Sequence, residues 1–162
     1  MSDKHFWGRP LELDGDRFRH LVEDARRLRV GLGVPILGVF GGVRIGGALG
    51  TGSPIFGSDT ICFNGRPGHE SFLILRSFQH PDQETGSDGL HWDGIATAGK
   101  PYDTLVVAVL LSFKHHFPEA ALYSDGGERE WAAGVALYRK VTGREVPSFS
   151  ELATPHPAQL SV

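Results

Sequence analysis

The spacing of apolar positions changes along the chain, and each change marks an element. Residues Phe6 to Leu13 read as a short strand. Asp14 and Asp16 then offer N-cap oxygens to a helix running to about Val30, in which Phe18, Leu21, Val22, Ala25 and Leu28 share one face. Arg17, Arg19, Arg26, Arg27 and Arg29 lie mostly off that face and are interrupted by Asp16, Glu23 and Asp24, the pattern of a solvated surface rather than an anion-binding strip.

From Gly31 the pattern shortens to β-like runs, Val34 to Phe40, Val43 to Leu49 and Ile55 to Phe63. Ten of the chain's 22 glycines fall between Gly31 and Gly57, which predicts a small meander with tight turns. Asn64-Gly65 followed by Arg66-Pro67-Gly68 separates Thr60–Phe63 from Ser71–Arg76 as a hairpin. Residues 79 to 89 form a polar loop, and a strand follows across His91 to Ala98.

Lys100-Pro101 opens the next helix, because proline suits a first turn. Every residue from Leu105 to Leu111 is apolar, so this helix must be covered on most sides and is expected at the centre of the core. It ends near Phe117-Pro118. Ala120 to Ser124 reads as a short strand, and Asp125-Gly126-Gly127-Glu128 has the residue types of a capping box at the start of a last helix. Trp131, Val135, Tyr138 and Val141 form its apolar stripe, with Gly143 placed to end it. Val146 to Val162 carries three prolines and no helical period.

The expectation is an α+β fold: one globular domain over residues 1–143 and a loosely ordered tail over 144–162. An N-terminal amphipathic helix and a Gly-rich meander and hairpin pack on the central apolar helix and the C-terminal helix, with a right-handed βαβ unit across residues 91–124.

Composition narrows the function classes. Apolar residues make up 40% and charged residues 22%, both ordinary for a globular chain. A net charge of −3 supplies no basic footprint, so nucleic acid is not an expected partner. The single Cys62 rules out an intramolecular disulfide and is too few for a thiolate-rich zinc site, which fits a reducing cytoplasm. Met1 to His5 contains no apolar export signal, and the run Leu105 to Leu111 is too short to cross a bilayer, so no membrane role is expected.

Several motifs fall short of chemistry. Gly94-Ile95-Ala96-Thr97-Ala98-Gly99-Lys100 matches the first seven positions of a nucleotide-binding P-loop, but Pro101 brings neither a hydroxyl nor an N–H to the eighth. Gly42, Gly46, Gly47, Gly50 and Gly52 lack the dinucleotide spacing. His115-His116 are neighbours about 100° apart on a helix and do not share a metal, while His91 and Asp93 lack a third ligand. There is no G-x-S-x-G, and Cys62 sits in an apolar strand. No cofactor and no metal are therefore expected.

What remains is placement. In a βαβ unit the ends of both strands open onto one sheet edge, where ligands of open α/β sheets bind. That edge carries Thr97, Lys100, Tyr102 and Asp103 from the first connection and Ser124, Asp125 and Glu128 from the second. Asp103, Asp125 and Glu128 also have a simpler reading as helix caps.

Phe63-Asn64-Gly65, Glu70-Ser71-Phe72, Lys100-Pro101-Tyr102-Asp103, Lys114-His115-His116-Phe117 and Ser124-Asp125-Gly126 together resemble a recurrent pattern of uncharacterised bacterial and phage-associated proteins, over about residues 50 to 142. The resemblance implies no activity and transfers no catalytic residue. Two function classes follow. The favoured one is a non-catalytic binding or accessory protein acting through a protein partner or a small ligand. The alternative is a small hydrolase or transferase using Lys100, Tyr102, Asp103 and Asp125.

Overall fold

The computed structural model describes residues 4–32, 45–86 and 88–152. The expected strand Val34 to Phe40, and the next run as far as residue 44, lie outside the described residues. In chain order the elements are β1 (Lys4–Arg9), α1 (Gly15–Leu32), β2 (Ile55–Phe56), β3 (Thr60–Phe63), β4 (Phe72–Leu75), β5 (His91–Ala96), α2 (Asp103–His116), β6 (Ala121–Ser124), α3 (Glu128–Thr142) and α4 (Phe149–Leu152). They form an α+β fold with two antiparallel three-stranded sheets, ordered β5-β1-β6 and β2-β3-β4.

In β1, His5, Trp7 and Arg9 alternate onto one buried face, and the strand stops at Pro10, which has no N–H to give to a ladder. The expected βαβ unit is present in split form: β5 and β6 both run antiparallel to β1, hence parallel to each other, and β1 lies between them. Local apolar pattern specifies that a segment is extended and does not specify its partner, so the inserted strand was hidden. Its register sets His5 opposite both Ile95 and Ser124, at the end of the sheet where β5 and β6 finish.

The hairpin pairs as expected, Thr60 with Leu75 through Phe63 with Phe72. The run Ile55 to Phe63 is two strands, closed by a turn in which the Gly57 N–H donates to the Thr60 carbonyl. Besides the Trp7–Phe72 ring contact, one side chain of β1 hydrogen-bonds across to the end of β4. Buried Arg9 donates from Nε to the Pro10 carbonyl (3.0 Å), from Nη1 to the Leu75 carbonyl, and from Nη2 to the carbonyls of Leu11 (3.1 Å) and Arg76 (3.0 Å). Burial pushes its pKa down to about 10, offset in part by Asp93 and Glu12.

Asp14 caps α1 by accepting the Arg17 N–H at 2.9 Å. In α2, Leu105 through Leu111 are all buried, and the helix packs against both α1 and α3, which also touch each other. The α2–α3 contact is close because of Gly134: a Cβ there would lie 2.4 Å from Val107 Cγ1. Gly134→Val is expected to force the two helices apart and cost about 2 kcal/mol, read as a lower denaturation midpoint at unchanged slope.

α3 begins at Glu128 rather than Asp125. The carboxylate that reaches back is Glu130, which accepts the Gly127 N–H at 2.8 Å. Its far end is Gly143, in the left-handed region at φ 70°, with its N–H on the Arg139 carbonyl. Residues 144–152, placed in a tail by the sequence pattern, are held on the domain. Arg144 pairs with Asp24, Phe149 packs edge-on against Trp131, and Leu152 is buried. Residues 153–162 lie outside the described residues.

Candidate functional site

Four side chains meet where β5 and β6 end. Asp103, the first residue of α2, accepts from His5 Nε2 at 2.6 Å and from the Thr97 hydroxyl at 2.5 Å. The other ring nitrogen of His5, Nδ1, lies 2.9 Å from Ser124 Oγ, and that oxygen also accepts the Gly126 N–H at 3.1 Å. A carboxylate only accepts, so Nε2 carries the proton toward Asp103, while Nδ1 shares the second bond with Ser124 Oγ. The result is a continuous relay, Thr97 to Asp103 to His5 to Ser124, joining three strand ends and one helix start.

The relay is almost closed to solvent. His5 is 0%, Thr97 1%, Asp103 7% and Ser124 9% exposed, and the Trp131 ring stands edge-on to the His5 ring at 5.6 Å. Sequence reasoning placed Thr97, Asp103 and Ser124 at this edge but missed His5, which it left outside the first strand. The signal was there: beginning that strand at Lys4 puts His5 in phase with Trp7 and Arg9.

The other candidates diverge. Asp125 is exposed and clamps β1 instead of capping α3: its Oδ1 accepts the Lys4 N–H at 2.6 Å while its own N–H donates to the Lys4 carbonyl. Tyr102 is buried, stacks on His69 and donates its hydroxyl to the Glu70 carbonyl at 2.8 Å; burial, with Glu70 and Asp103, pushes its pKa up to about 12. Lys100 is exposed at the end of a tight turn in which Ala98 (φ 52°) and Gly99 (φ 66°) are both left-handed and the Lys100 N–H donates to the Thr97 carbonyl. Glu128 is exposed at the start of α3, on the lining of the hollow between α3 and residues 146–152. The P-loop-like stretch is not a phosphate loop, because Gly94 to Ala96 are paired in β5.

A second buried polar centre lies at Asp24. Its Oδ2 accepts from Ser112 Oγ (2.6 Å), His116 Nε2 (2.8 Å) and Arg144 Nη1 (2.6 Å), which ties α1 to α2 and to the segment after α3. Burial alone would raise its pKa, but the bonds from His116, Arg144 and Ser112 outweigh it and hold the carboxyl well below the usual range. His116 thus belongs to this hub, and its neighbour His115 is exposed. Among the described residues no group of three His, Cys, Asp or Glu is arranged to hold a metal ion. Cys62 is buried in β3, where burial pushes its thiol pKa up.

The outer face of α3 and the returning segment 146–152 enclose a concavity of about 320 Å³. Trp131, Ala132, Val135 and Ala136 face Phe149 and Leu152 across it, with Glu128 and Arg139 also on its lining. It exists because Ala132 and Ala136, both on the exposed side of α3, are too small to fill the space beside Trp131 and Phe149. No transmembrane helix accompanies this arrangement: among the described residues no helix is long and apolar enough to cross a membrane. Comparison with protein-family models, curated proteins and solved structures gives no match to the chain.

Proposed function

We propose that this chain is a non-catalytic binding or accessory protein, of the bacterial or phage-associated kind that its residue pattern implies. One observation carries the reading: the polar groups at the strand-end edge are spent on one another. Stabilising an acyl-transfer transition state needs N–H donors aimed at a developing oxyanion. The three N–H groups after Ser124 are engaged, Asp125 on the Lys4 carbonyl, Gly126 on Ser124 Oγ and Gly127 on Glu130. With His5 fully buried, the relay acts as a staple that fixes the start of β1 against β6 and α2.

A second reading rests on the same distances. Ser124, His5 and Asp103 are in the order and at the spacing of a nucleophile, a base and its orienting acid. In that chemistry Ser124 Oγ attacks an ester carbonyl carbon, its proton passes to His5 Nδ1, and the departing alkoxide takes that proton before water releases the acyl group. A fluorophosphonate probe, which phosphonylates an activated serine with loss of fluoride, separates the two. On the staple reading Ser124 is not labelled at neutral pH, and Ser124→Ala lowers stability by about 1 kcal/mol. Stoichiometric labelling of Ser124, removed by His5→Gln in a folded variant, would establish the hydrolase instead.

A further inference from the structure

We infer that the concavity between α3 and residues 146–152 binds a small apolar carboxylic acid, with the carboxylate on Arg139 and the hydrocarbon or aromatic body against Ala132, Val135 and Phe149. The inference rests on the binding-protein reading and names its ligand. The volume of about 320 Å³ is at the lower end of the range for small-molecule pockets, and the residues facing one another across it are apolar. Apolar walls reward a ligand of carbon, and a few charged groups at the margin then decide its head.

Those groups are Glu128, the first residue of α3, and Arg139 in its last turn, 11 residues on and about 16 Å along the helix axis. Each sits at the helix end whose dipole suits its charge, so the dipole does not choose between them; the paired N–H donors of Arg139 do. The Arg139 side chain is 53% exposed, and its one ion pair among the described residues is a 4.0 Å contact with Glu145, itself 95% exposed, so the pair is weak and the guanidinium fork is open to a bidentate carboxylate. The neighbouring hollow across residues 146, 147 and 152 is a poorer site: Lys114 on its wall is spent on the Pro118 and Ala120 carbonyls, and Glu145 and Glu151 leave it with an acidic lining that repels an acid.

The test is calorimetric titration of the protein with 2-naphthoate, with the neutral naphthalene-2-carboxamide and with the cationic 2-naphthylmethylammonium. Naphthoate is expected to bind at least about tenfold more tightly than the ammonium analogue. Arg139→Gln should erase that preference, and Ala132→Trp, which fills the hollow from an exposed position, should abolish binding while the thermal midpoint holds. No heat from naphthoate at millimolar concentration, tighter binding of the ammonium, or binding untouched by Ala132→Trp would each overturn the inference. Labelling of Ser124 bears on the binding-protein reading and leaves these titrations as they are, so the two fail separately.

Discussion

Asp24→Ala is expected to lower the unfolding free energy by about 3 kcal/mol, measured by urea denaturation at neutral pH. The carboxylate is 6% exposed and accepts three donors on one oxygen, so its loss leaves the fully buried Ser112 hydroxyl without that acceptor and removes the partner of Arg144. The figure is at the low end of the range for breaking a buried pair, because the Arg144 side chain is 27% exposed and turns to water when released. The effect has a pH signature. The folded-state pKa of Asp24 is depressed below its unfolded value near 3.9, so the stabilisation is complete above about pH 4 and is lost as pH falls toward the folded value. The difference between native and variant stability should therefore shrink as pH falls below 4. A difference that stays constant to pH 3 would show that the carboxylate is not held ionised by its partners.

Arg9→Ala should cost about 4 kcal/mol, and Arg9→Met about half of that. Two carbonyls that Arg9 serves keep backbone donors of their own: Leu11 retains the Phe78 N–H and Arg76 the Leu13 N–H. The bonds lost outright are those to Leu75 and Pro10. Methionine preserves most of the packed stem and removes the desolvated charge, which offsets part of that loss; alanine adds a cavity beside Phe78, over whose ring the guanidinium lies at 5.3 Å. Equal losses for the two variants would assign the whole effect to hydrogen bonding rather than packing. Lysine is not an expected rescue, since one ammonium does not reproduce four donor directions from a planar fork.

The elements whose periods are strong were legible in the sequence. α1, α2 and α3 follow from their stripes, the β3–β4 hairpin from Asn64-Gly65, and the burial of α2 from its run of apolar residues. Pairing was not legible, because β1 meets β5 and β6 across roughly 80 to 120 positions of chain and nothing local encodes that choice. The same gap hid His5, since the relay exists only once β1 is inserted. Asp125 was misassigned because Asp near a helix start is a common cap; the structure uses it on an incoming strand end instead. The hollow on α3 was invisible for a further reason: α4 is four residues long, too short for periodicity to register, yet it supplies one wall.

The place of β1 in its sheet also bears on how the chain is made. A strand synthesised early has both neighbours synthesised more than 80 residues later, so at ribosomal speeds it waits on the order of ten seconds with Trp7 and both hydrogen-bonding edges unclaimed. During that interval α1 and the β2-β3-β4 sheet are already available to fold, and the β5-β1-β6 sheet closes only when Ser124 arrives opposite His5. Nascent chains stalled before β6 should therefore be the ones that need chaperone cover.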